Sequence, residues 1–520
     1  MIKVRQIKVS ILNDTYEELI KKISKKINEK DIEIIKINKK SIDARDKENI
    51  YYVYEVVIKV LDENKIKLNN DVLIYEEENY EYSITGNETM SERPIIIGSG
   101  PAGLFIGYML SISGYKPIII ERGEPIDDRI KTVDKFFKEG ILNKNSNIQF
   151  GEGGAGTFSD GKLNTLVKDK REKKVFEIFV ECGAPKEILY EAKPHIGTDI
   201  LRQVIINMRN KMLDYGATFK YNSTLTDINI KDNKVKSIII NDKEELNTEV
   251  LILAIGHSAR DTFKMLNKKG INMISKPFAV GIRIQHPKDL INESLYGKYG
   301  KILPTASYKL TYKAKDSRGV YTFCMCPGGY VVNSSSEDNK LVINGMSNHK
   351  RDEKNSNTAL IVTVDENDYG KELFDGMKFQ EELEEKAYSI GKGRIPTQNY
   401  IDFKNNIESI KLINEPSFKG SYTLTNINNI LPDYICNDLK EAIEYFNTKI
   451  KGYNDDNAII SAPETRTSSP IRILRDENYE TNIKGIYPIG EGSGYSGGIT
   501  TSAMDGIRCF EKIITIYKLD

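Results

Sequence analysis

The sequence of 520 residues contains no tryptophan, only five cysteines and four histidines, and no excess of either charge, with 75 basic and 75 acidic residues. Balanced charge provides no net field that would steer the protein towards nucleic acid or an anionic membrane. The five cysteines form neither a disulfide framework nor a quartet of metal ligands, which is typical of a reducing compartment. We therefore expect no nucleic acid, membrane or metal ion among the partners.

Long apolar runs are also missing from the chain. No run approaches the roughly 18 residues that a membrane-spanning helix requires. The first residues, MIKVRQIKVSILNDTYEE, are charged from the third position onwards and lack the apolar core of a signal peptide. We expect a soluble, cytoplasmic protein that is long enough for two to four domains.

The clearest pattern lies at 93–122, RPIIIGSGPAGLFIGYMLSISGYKPIIIER. A short β-branched run predicts a buried strand, and a glycine turn with the spacing G-x-G-x-x-G then leads into an apolar helix and a second apolar run. In this motif Gly98 permits a tight turn, Gly100 lets the backbone approach a pyrophosphate, and Gly103 lets the helix pack against the strand. Glu121 ends the second run, where a carboxylate binds a ribose diol and repels a 2′-phosphate. The stretch predicts a dinucleotide site with the helix start facing the phosphates.

A second glycine-rich stretch, NIQFGEGGAGTFSDGKL at 147–163, repeats the glycine spacing without the surrounding pattern. No β-branched strand precedes it, no long apolar helix follows it, and no acid closes a second strand. We interpret it as a loop whose backbone lies close to a flat ligand, with Thr157, Ser159 and Lys162 as polar contacts. The alternative is a plain flexible loop.

The remaining patterns divide the chain into four parts. Residues 1–88 read as a small βαββ domain, and residues 89–275 as the first part of the nucleotide-binding domain, including a helix capped by Thr198. Short alternating runs at 276–479 are typical of an antiparallel sheet that covers the crevice and supplies the substrate pocket. Residues 480–520 return to the nucleotide-binding domain and complete it. The predicted class is α/β: a Rossmann-like domain with an inserted, mainly antiparallel β domain and a small N-terminal α+β domain.

The returning segment contains GEGSGYSGGITTSAMDG at 490–506, a glycine-dense backbone followed by a helix of small residues. Such a backbone permits close approach to a ligand. Glu491 is placed to accept a hydrogen bond from a ribityl or ribose hydroxyl. N–H groups from Gly498 to Thr501, at a helix start, are placed to stabilise negative charge on a reduced ring. A structural glycine turn is the alternative.

Together these segments resemble flavoproteins of the two-dinucleotide-binding-domain type, and in more detail the uncharacterised bacterial FAD-dependent dehydrogenase family of NAD(P)/FAD-dependent oxidoreductases. The resemblance is carried by QFGEGGAGTFSDGKL at 149–163, KPHIGTD at 193–199, AIGHSARDTF at 254–263, FCMCPGGYVVN at 323–333, ETRTSSPIRI at 464–473 and YPIGEGSGYSGGIT at 487–500. It covers nearly the whole chain, with Ile255 as a departure where flavoproteins often have threonine. It implies bound FAD and a cytoplasmic location, and it supplies no substrate.

The motifs and the resemblance together indicate one set of cofactor contacts. These are Gly98, Gly100, Pro101, Ala102, Gly103, Glu121, Arg122, Gly154, Gly156, Lys162, Leu225, Ala254, Gly256, Gly490, Glu491, Gly498, Ile499 and Thr500. We expect an FAD-dependent oxidoreductase that transfers a hydride between a small organic substrate and flavin N5. NAD(P)H, as a transient electron donor, would visit the same pocket because no second nucleotide motif is convincing. The alternatives are a flavin-binding regulator and an FAD-assisted enzyme that modifies RNA, against which the neutral charge speaks.

The catalytic residues stay unassigned, with His257, Arg466 and Cys326 as candidates. His257 either meets the flavin or is a core histidine, and Arg466 either binds a substrate carboxylate or joins two domains by ion pairing. Cys324 and Cys326 lie two apart on a probable strand and should share a face, as a redox pair or, as we favour, as buried apolar cysteines. Arg472 is a candidate of the same kind beside Arg466, and Arg260, Arg283 and His286 are weaker candidates.

Overall fold

The N-terminal part forms a four-stranded antiparallel sheet in the computed structural model, which describes residues 1–165 and 167–519. Its elements are β1 (Ile2–Ser10), α1 (Tyr16–Ile27), β2 (Ile32–Asp43), β3 (Tyr51–Val60) and β4 (Val72–Ile74), with the strand order β2-β3-β1-β4. The Thr15 hydroxyl caps α1 by accepting from the N–H of Glu18 at 3.2 Å. Leu19, Ile23 and Ile27 form the apolar face of α1 and pack into the core of the sheet.

The nucleotide-binding part follows. Its elements are β5 (Glu88–Thr89), β6 (Ile95–Ile97), α2 (Pro101–Ile112), β7 (Ile118–Ile120), α3 (Ile126–Glu139), α4 (Lys170–Glu181), α5 (Thr198–Asp214), β8 (Thr218–Lys220), β9 (Leu225–Lys231), β10 (Lys234–Ile240), β11 (Glu244–Asn247), β12 (Leu251–Leu253) and α6 (Arg260–Lys268). Three consecutive isoleucines form each of β6 and β7, and residues 102–111 of α2 are all buried. Such all-apolar elements are expected at the centre of a sheet covered on both faces.

Thr198 does not cap α5, in contrast to the prediction. It is the first helical residue, and the cap position belongs to Gly197, which makes no side-chain cap bond. The Thr198 hydroxyl instead donates to the carbonyl oxygen of Thr157 at 2.6 Å. Gly197 has φ +83°, and a Cβ there would lie 2.2 Å from the backbone nitrogen of His349. The close approach of another segment therefore sets the start of this helix.

The inserted part contains most of the remaining strands. Its elements are β13 (Met273–Ser275), β14 (Phe278–Pro287), α7 (Lys288–Tyr296), β15 (Thr311–Lys313), β16 (Gly319–Cys326), β17 (Tyr330–Asn333), β18 (Ile343–Met346), β19 (Asn355–Val364), α8 (Glu366–Tyr369), α9 (Asp375–Gly391), β20 (Ile395–Asn399), α10 (Tyr400–Lys404), β21 (Phe418–Lys419), β22 (Tyr422–Leu424), α11 (Asp433–Phe446), β23 (Ile459–Glu464) and β24 (Ile471–Ile473). Seven strands form a sheet of order β15-β16-β19-β14-β23-β20-β22, in which only β20 and β22 pair in parallel. The pair β13–β24 joins the entry and exit of this part.

The chain ends by completing the first sheet with β25 (Ile486–Pro488), α12 (Ile499–Ile516) and β26 (Tyr517–Lys518). The order is β25-β12-β6-β7-β8, and every neighbouring pair is parallel. A Cβ at Gly506 of α12 would lie 2.6 Å from the carbonyl oxygen of Ala102, so α12 packs tightly on α2. The predicted fold class is confirmed. The boundaries at 88, 275 and 479 stay a prediction.

Candidate functional site

A cavity of about 600 Å³ lies at the carboxyl ends of the parallel strands. Gly98 follows β6, Glu121 follows β7, Ala254 follows β12 and Ile489 follows β25, and all four residues line the cavity. A second wall comes from the inserted sheets through Phe323, Cys324, Cys326, Asn344, Gly345 and Glu464. Ligands of open α/β sheets bind in the crevice at these strand ends, and the volume is in the usual range for ligand pockets.

The cavity brings the two remote glycine-rich stretches together. Of the expected cofactor contacts, all except Gly103 line it, and His257, Arg466 and Cys326 line it as well. Gly103 lies one turn into α2, where it serves the packing of that helix. Whether these residues contact FAD stays a prediction.

The three glycines of the first turn differ in what requires them. Gly98 has φ +97°, and a Cβ there would lie 2.3 Å from the carbonyl oxygen of Ala254. A Cβ at Gly103 would lie 2.0 Å from the carbonyl oxygen of Gly98. Gly100, in contrast, has φ −72°, and its Cβ would meet only the Cα of Gly154, at 3.8 Å. The protein's own packing gives no reason for glycine at position 100, whereas a ligand close to the backbone would give one.

The same contrast recurs in the C-terminal segment. A Cβ at Gly492 would lie 2.3 Å from the carbonyl oxygen of Gly256, so the two backbones are in direct contact. A Cβ at Gly497 or Gly498 would meet nothing within 4 Å. Gly498 has φ +92°, which itself favours glycine, but Gly497 lies outside the left-handed region. Gly497 is therefore a second cavity-facing glycine without a reason inside the protein.

The Glu121 carboxylate is fully engaged by the protein. Its Oε2 accepts from the Ser99 N–H at 2.9 Å and from the Ser99 hydroxyl at 2.7 Å. Its Oε1 accepts from the N–H groups of Gly123 at 2.9 Å and Gly151 at 3.0 Å. A carboxylate offers about four acceptor positions. A ribose diol would therefore share these oxygens or displace the Ser99 hydroxyl, rather than meet a vacant carboxylate.

Arg129 organises the second glycine loop and was missed by the sequence analysis. Its guanidinium group is fully buried and donates to the carbonyl oxygens of Asn147, Ile148, Glu152 and Gly154 at 2.6 to 2.9 Å. Burial lowers the pKa of Arg129 to about 10, so the group stays charged at neutral pH. The sequence could have indicated a buried role for Arg129, because it lies among the apolar residues on the buried face of α3.

The loop at 151–162 forms one long wall of the cavity. It begins with an N–H group that donates to the Glu121 carboxylate, and it then lies against the backbone of Gly100. Farther on it touches the Ile499 side chain at the start of α12 and ends at Lys162. The loop therefore contacts the end of β7, the α2 turn and the α12 start in turn along the chain, before it reaches Lys162.

Two of the three polar contacts expected from this loop, Ser159 and Lys162, line the cavity, but Thr157 does not. The Thr157 hydroxyl is buried and donates to the carbonyl oxygen of Glu152 at 3.3 Å. A Cβ at Gly153 would lie 2.1 Å from that hydroxyl oxygen. Glycine at 153 therefore makes room for an inward-facing Thr157, which supports the loop rather than a ligand.

The start of α12 is held at the cavity by two sets of contacts. The Thr500 hydroxyl donates to the carbonyl oxygen of Leu163 at 2.6 Å, which joins α12 to the loop wall. Asp505 accepts from Arg475 at 2.7 and 2.9 Å and from the Gly490 N–H at 2.9 Å. Residues 498–502 line the cavity, so the positive end of the α12 dipole lies in its wall.

His257 lies beside Glu491 in the cavity wall. The Nδ1 atom of His257 is 3.4 Å from the Oε1 atom of Glu491, which is beyond good hydrogen-bonding geometry. Both ring nitrogens are buried, and neither has a hydrogen-bond partner among the described residues. A buried polar atom without a partner is costly. His257 is therefore suited to bind a group that the protein alone does not supply.

The thiols at 324 and 326 do not follow the predicted strand alternation. The β16–β19 pairing shifts register between Phe323 and Cys326, and Cys324 has φ +41° within this bulge. The Cys324 side chain is exposed to the cavity, and burial within the surrounding protein raises its pKa to about 12. Cys326 is buried, but its sulfur is 3.9 Å from the guanidinium group of Arg283, so its surroundings are not apolar.

Arg283 supports this wall from beneath. Its fully buried guanidinium group pairs with both oxygens of Glu464, at 2.9 and 3.1 Å. It also donates to the carbonyl oxygen of Cys324 at 3.0 Å and to the Oδ1 atom of Asn344 at 3.1 Å. Arg283 therefore fixes three residues that line the cavity without lining it itself.

Arg466 lines the cavity but is bound within an ion-pair cluster. It donates to both Glu384 oxygens at 2.8 and 2.9 Å, to Glu337 at 3.0 Å and to the Ser336 hydroxyl at 2.6 Å. Arg260 of α6 pairs with the same Glu384 at 2.9 and 3.0 Å. Burial alone would raise the pKa of Glu384, but the two guanidinium groups outweigh burial and hold it well below its usual range. The cluster joins α6 to the inserted part, the second of the two roles considered for Arg466.

Two further candidates, His286 and Arg472, do not line the cavity. His286 is fully buried, its Nε2 atom is 2.7 Å from the carbonyl oxygen of Tyr453, and burial lowers its pKa to about 4. Arg472 donates to the carbonyl oxygen of Gly494 at 3.3 Å and lies over the ring of Tyr495. Both contacts position the backbone or the core.

The site residues fit a dinucleotide with a flat ring at one end. The backbone at Gly100 and Gly497 is open to the cavity, and two helix starts, those of α2 and α12, lie in the wall. His257 contributes two buried ring nitrogens without hydrogen-bond partners in the described chain. These features agree with the donor set that FAD needs.

In residues 1–165 and 167–519, no three His, Cys, Asp or Glu side chains come together as metal ligands would. Among the helices that the structure describes, none is both long and apolar enough to cross a membrane. The five cysteines are free thiols.

Sequence comparisons place relatives along the whole chain. Residues 277–467 match the family described as FAD-dependent protein, C-terminal domain-like, and residues 1–59 match a domain of unknown function. A Clostridium beijerinckii protein named as an uncharacterized protein is 45% identical over 531 aligned positions, which cover 100% of this chain and 99% of that protein.

Solved structures provide more distant similarities. The glycerol-3-phosphate dehydrogenase from Bacillus halodurans, complexed with FAD, is 10% identical, with 82% of this chain and 66% of that chain covered and a TM-score of 0.36. The glycine oxidase from Bacillus cereus is 11% identical, with 82% and 95% covered and a TM-score of 0.33. The Clostridium beijerinckii protein is thus far more similar than these two.

Proposed function

This chain belongs to the same family as the Clostridium beijerinckii protein and carries an FAD-dependent-protein C-terminal-like domain at 277–467, and we propose that it is an FAD-dependent oxidoreductase with one FAD along the cavity. The proposed substrate is a small organic molecule, which gives a hydride to the flavin or receives one from it. We further propose a cytoplasmic location, which the free thiols support.

The observation that carries the proposal is the pair of glycines at 100 and 497. Both line the cavity, neither has a backbone conformation that requires glycine, and neither is confined by a neighbouring atom of the protein. Two such positions, almost 400 residues apart in sequence, face one cavity. A single ligand that lies close to both backbones explains the two together.

The protein's own residues have separate tasks in this proposal. The backbone at Gly100 and the first N–H groups of α2 hold the pyrophosphate, and Glu121 orients the ribose. The backbone at Gly497 and the start of α12 face the ring, where the helix dipole stabilises negative charge. The inserted sheets cover the ring and exclude water. When bound, FAD supplies a ring that accepts and returns a hydride at N5.

Thiol chemistry is not part of the proposal. Burial raises the pKa of both Cys324 and Cys326, the former to about 12, so both thiols are protonated at neutral pH. A protonated thiol is a poor nucleophile. The sequence offers no second convincing nucleotide motif, so we propose that NAD(P)H, where it serves as donor, enters the same cavity.

Anaerobic stopped-flow reduction of the purified holoprotein by NADH and NADPH tests the oxidoreductase role. We expect bleaching of the flavin bands by at least one of these donors or, failing that, by a compound from a panel of small organic acids, alcohols and amines. A protein that holds FAD but resists every donor and, once reduced chemically, every acceptor would contradict the proposal. That result would favour the flavin-binding regulator instead.

A further inference from the structure

Lys162 is a buried cation without a hydrogen-bond acceptor. Its Nζ atom is inaccessible to solvent and makes no hydrogen bond to any residue that the structure describes. An ammonium group carries three donors, and leaving all of them unpaired in the interior is strongly unfavourable. The residue lines the cavity at the end of the loop wall. An acceptor for Lys162 is therefore expected from the ligand.

Asp160 is the nearest carboxylate, and another cation already occupies it. Its Oδ2 atom lies 3.5 Å from the Lys162 Nζ atom, whereas Arg351 pairs with both of its oxygens at 2.9 and 2.5 Å. Burial would raise the pKa of Asp160, but Lys162 and Arg351 lower it overall, so the carboxylate is ionised. One negative charge between two positive ones leaves an excess positive charge at this end of the cavity.

The residues of the neighbouring wall offer hydrogen-bond donors, but none of them offers an unpaired carboxylate. Cys324, Cys326 and Asn344 line the same cavity as Lys162, and both thiols are neutral. Glu464 is neutralised by Arg283. The Asn344 oxygen accepts from Arg283 at 3.1 Å and from the Gly345 N–H, so only its amide N–H groups remain for a ligand.

We propose that this end of the cavity binds the carboxylate of a small organic acid, and that Lys162 is the residue that pairs with it. The inference rests on the proposed function and names its substrate class. The proposed anion is distinct from the pyrophosphate, which the backbone at Gly100 and the start of α2 hold in the proposed function. The thiol of Cys324 and the amide of Asn344 bound the same subsite with neutral donors.

Acetate and its neutral counterpart acetamide are the probes for this subsite. Each is titrated into the FAD-loaded protein, and binding is followed by the perturbation of the flavin absorbance bands. We expect acetate to bind more tightly than acetamide, and Lys162→Met to weaken acetate about tenfold or more, as the loss of a charge-assisted pair implies. Lys162→Arg keeps most of the affinity because the charge remains. Lys315→Met, a change at a side chain that is 84% exposed, is the matched control and leaves acetate binding unchanged.

The measurements separate this inference from the proposed function. A holoprotein that contains FAD but binds acetate and acetamide equally, or binds neither, overturns the inference and leaves the FAD site standing. Equal acetate affinity in Lys162→Met and wild type overturns it too. A change confined to the flavin reduction potential, with acetate binding unaltered, would assign Lys162 to the flavin instead. Absence of bound FAD would count against the proposed function itself.

Discussion

Replacing Gly100 by alanine should weaken FAD binding without harming the protein fold. Its φ of −72° suits any residue, and the new Cβ would meet only the Gly154 Cα, at 3.8 Å. Gly→Ala at a compatible position stabilises a protein by about 0.4–1 kcal/mol through the unfolded state. Gly100 is also the N-cap residue of α2, where glycine is favoured over alanine, so the two effects oppose each other and the stability of the FAD-free protein should change little.

The effect on FAD comes from the space that the methyl group fills. A Cβ extends about 1.5 Å from the backbone and moves the pyrophosphate away from its N–H donors. Each hydrogen bond to a charged group contributes about 1.5–3 kcal/mol, so the loss of one or two costs about 3 kcal/mol. That corresponds to about a hundredfold rise in the FAD dissociation constant.

Gly103→Ala is the matched control, three residues away in the same motif. Its Cβ would lie 2.0 Å from the Gly98 carbonyl oxygen and 3.3 Å from the Ala254 Cβ, so overpacking should cost about 1–3 kcal/mol or more. The assay is calorimetric titration of FAD into deflavinated protein, together with urea denaturation of the FAD-free form. If Gly100→Ala kept wild-type FAD affinity, or unfolded as easily as Gly103→Ala, the reasoning would be wrong.

Three further changes test other parts of the structure. Glu384→Gln leaves Arg260 and Arg466 without their shared partner and should lower the free energy of unfolding by about 3–5 kcal/mol, whereas Glu385→Gln, at a side chain 58% exposed, should change it by less than about 0.5 kcal/mol in urea denaturation. Burial holds the pKa of His286 at about 4, below its usual 6.5, so its stabilising effect is complete above pH 6.5 and is lost as the pH falls towards 4. His286→Gln should therefore reduce the acid-induced loss of stability by up to about 3 kcal/mol, and an unchanged stability–pH curve would contradict the assigned burial. The raised pKa of Cys324, about 12, predicts alkylation by iodoacetamide at pH 8 about a thousandfold slower than for an ordinary thiol, and rapid labelling in peptide mass spectra would argue against it.

The nucleotide-binding unit was predictable because its information is local. Within thirty residues, apolar runs, glycine spacing and the closing acid each indicate one element of the same βαβ unit. The roles of Gly98 and Gly103 follow from that spacing. The atoms that exclude a side chain at Gly98 required coordinates, because they include the carbonyl oxygen of Ala254, more than 150 residues away.

The side-chain clusters were not predictable for the same reason. Arg466 meets Glu384, which is 82 positions away, and Arg129 binds carbonyl groups of a loop that has no regular pattern. The bulge at Cys324 arises from pairing with β19, so counting residues along β16 could not reveal it. Sequence periodicity indicates which face of an element is buried, but not which polar group that face contacts.

The central claim is that the backbones near residues 100 and 497 enclose one FAD molecule. The most direct test is the absorbance spectrum of the purified full-length chain, with the released flavin identified and counted per chain. We expect the two visible bands of bound flavin and one FAD per chain. A colourless protein that also fails to bind added FAD at concentrations of about 100 μM, where a site of ordinary cofactor affinity would be filled, would contradict the account.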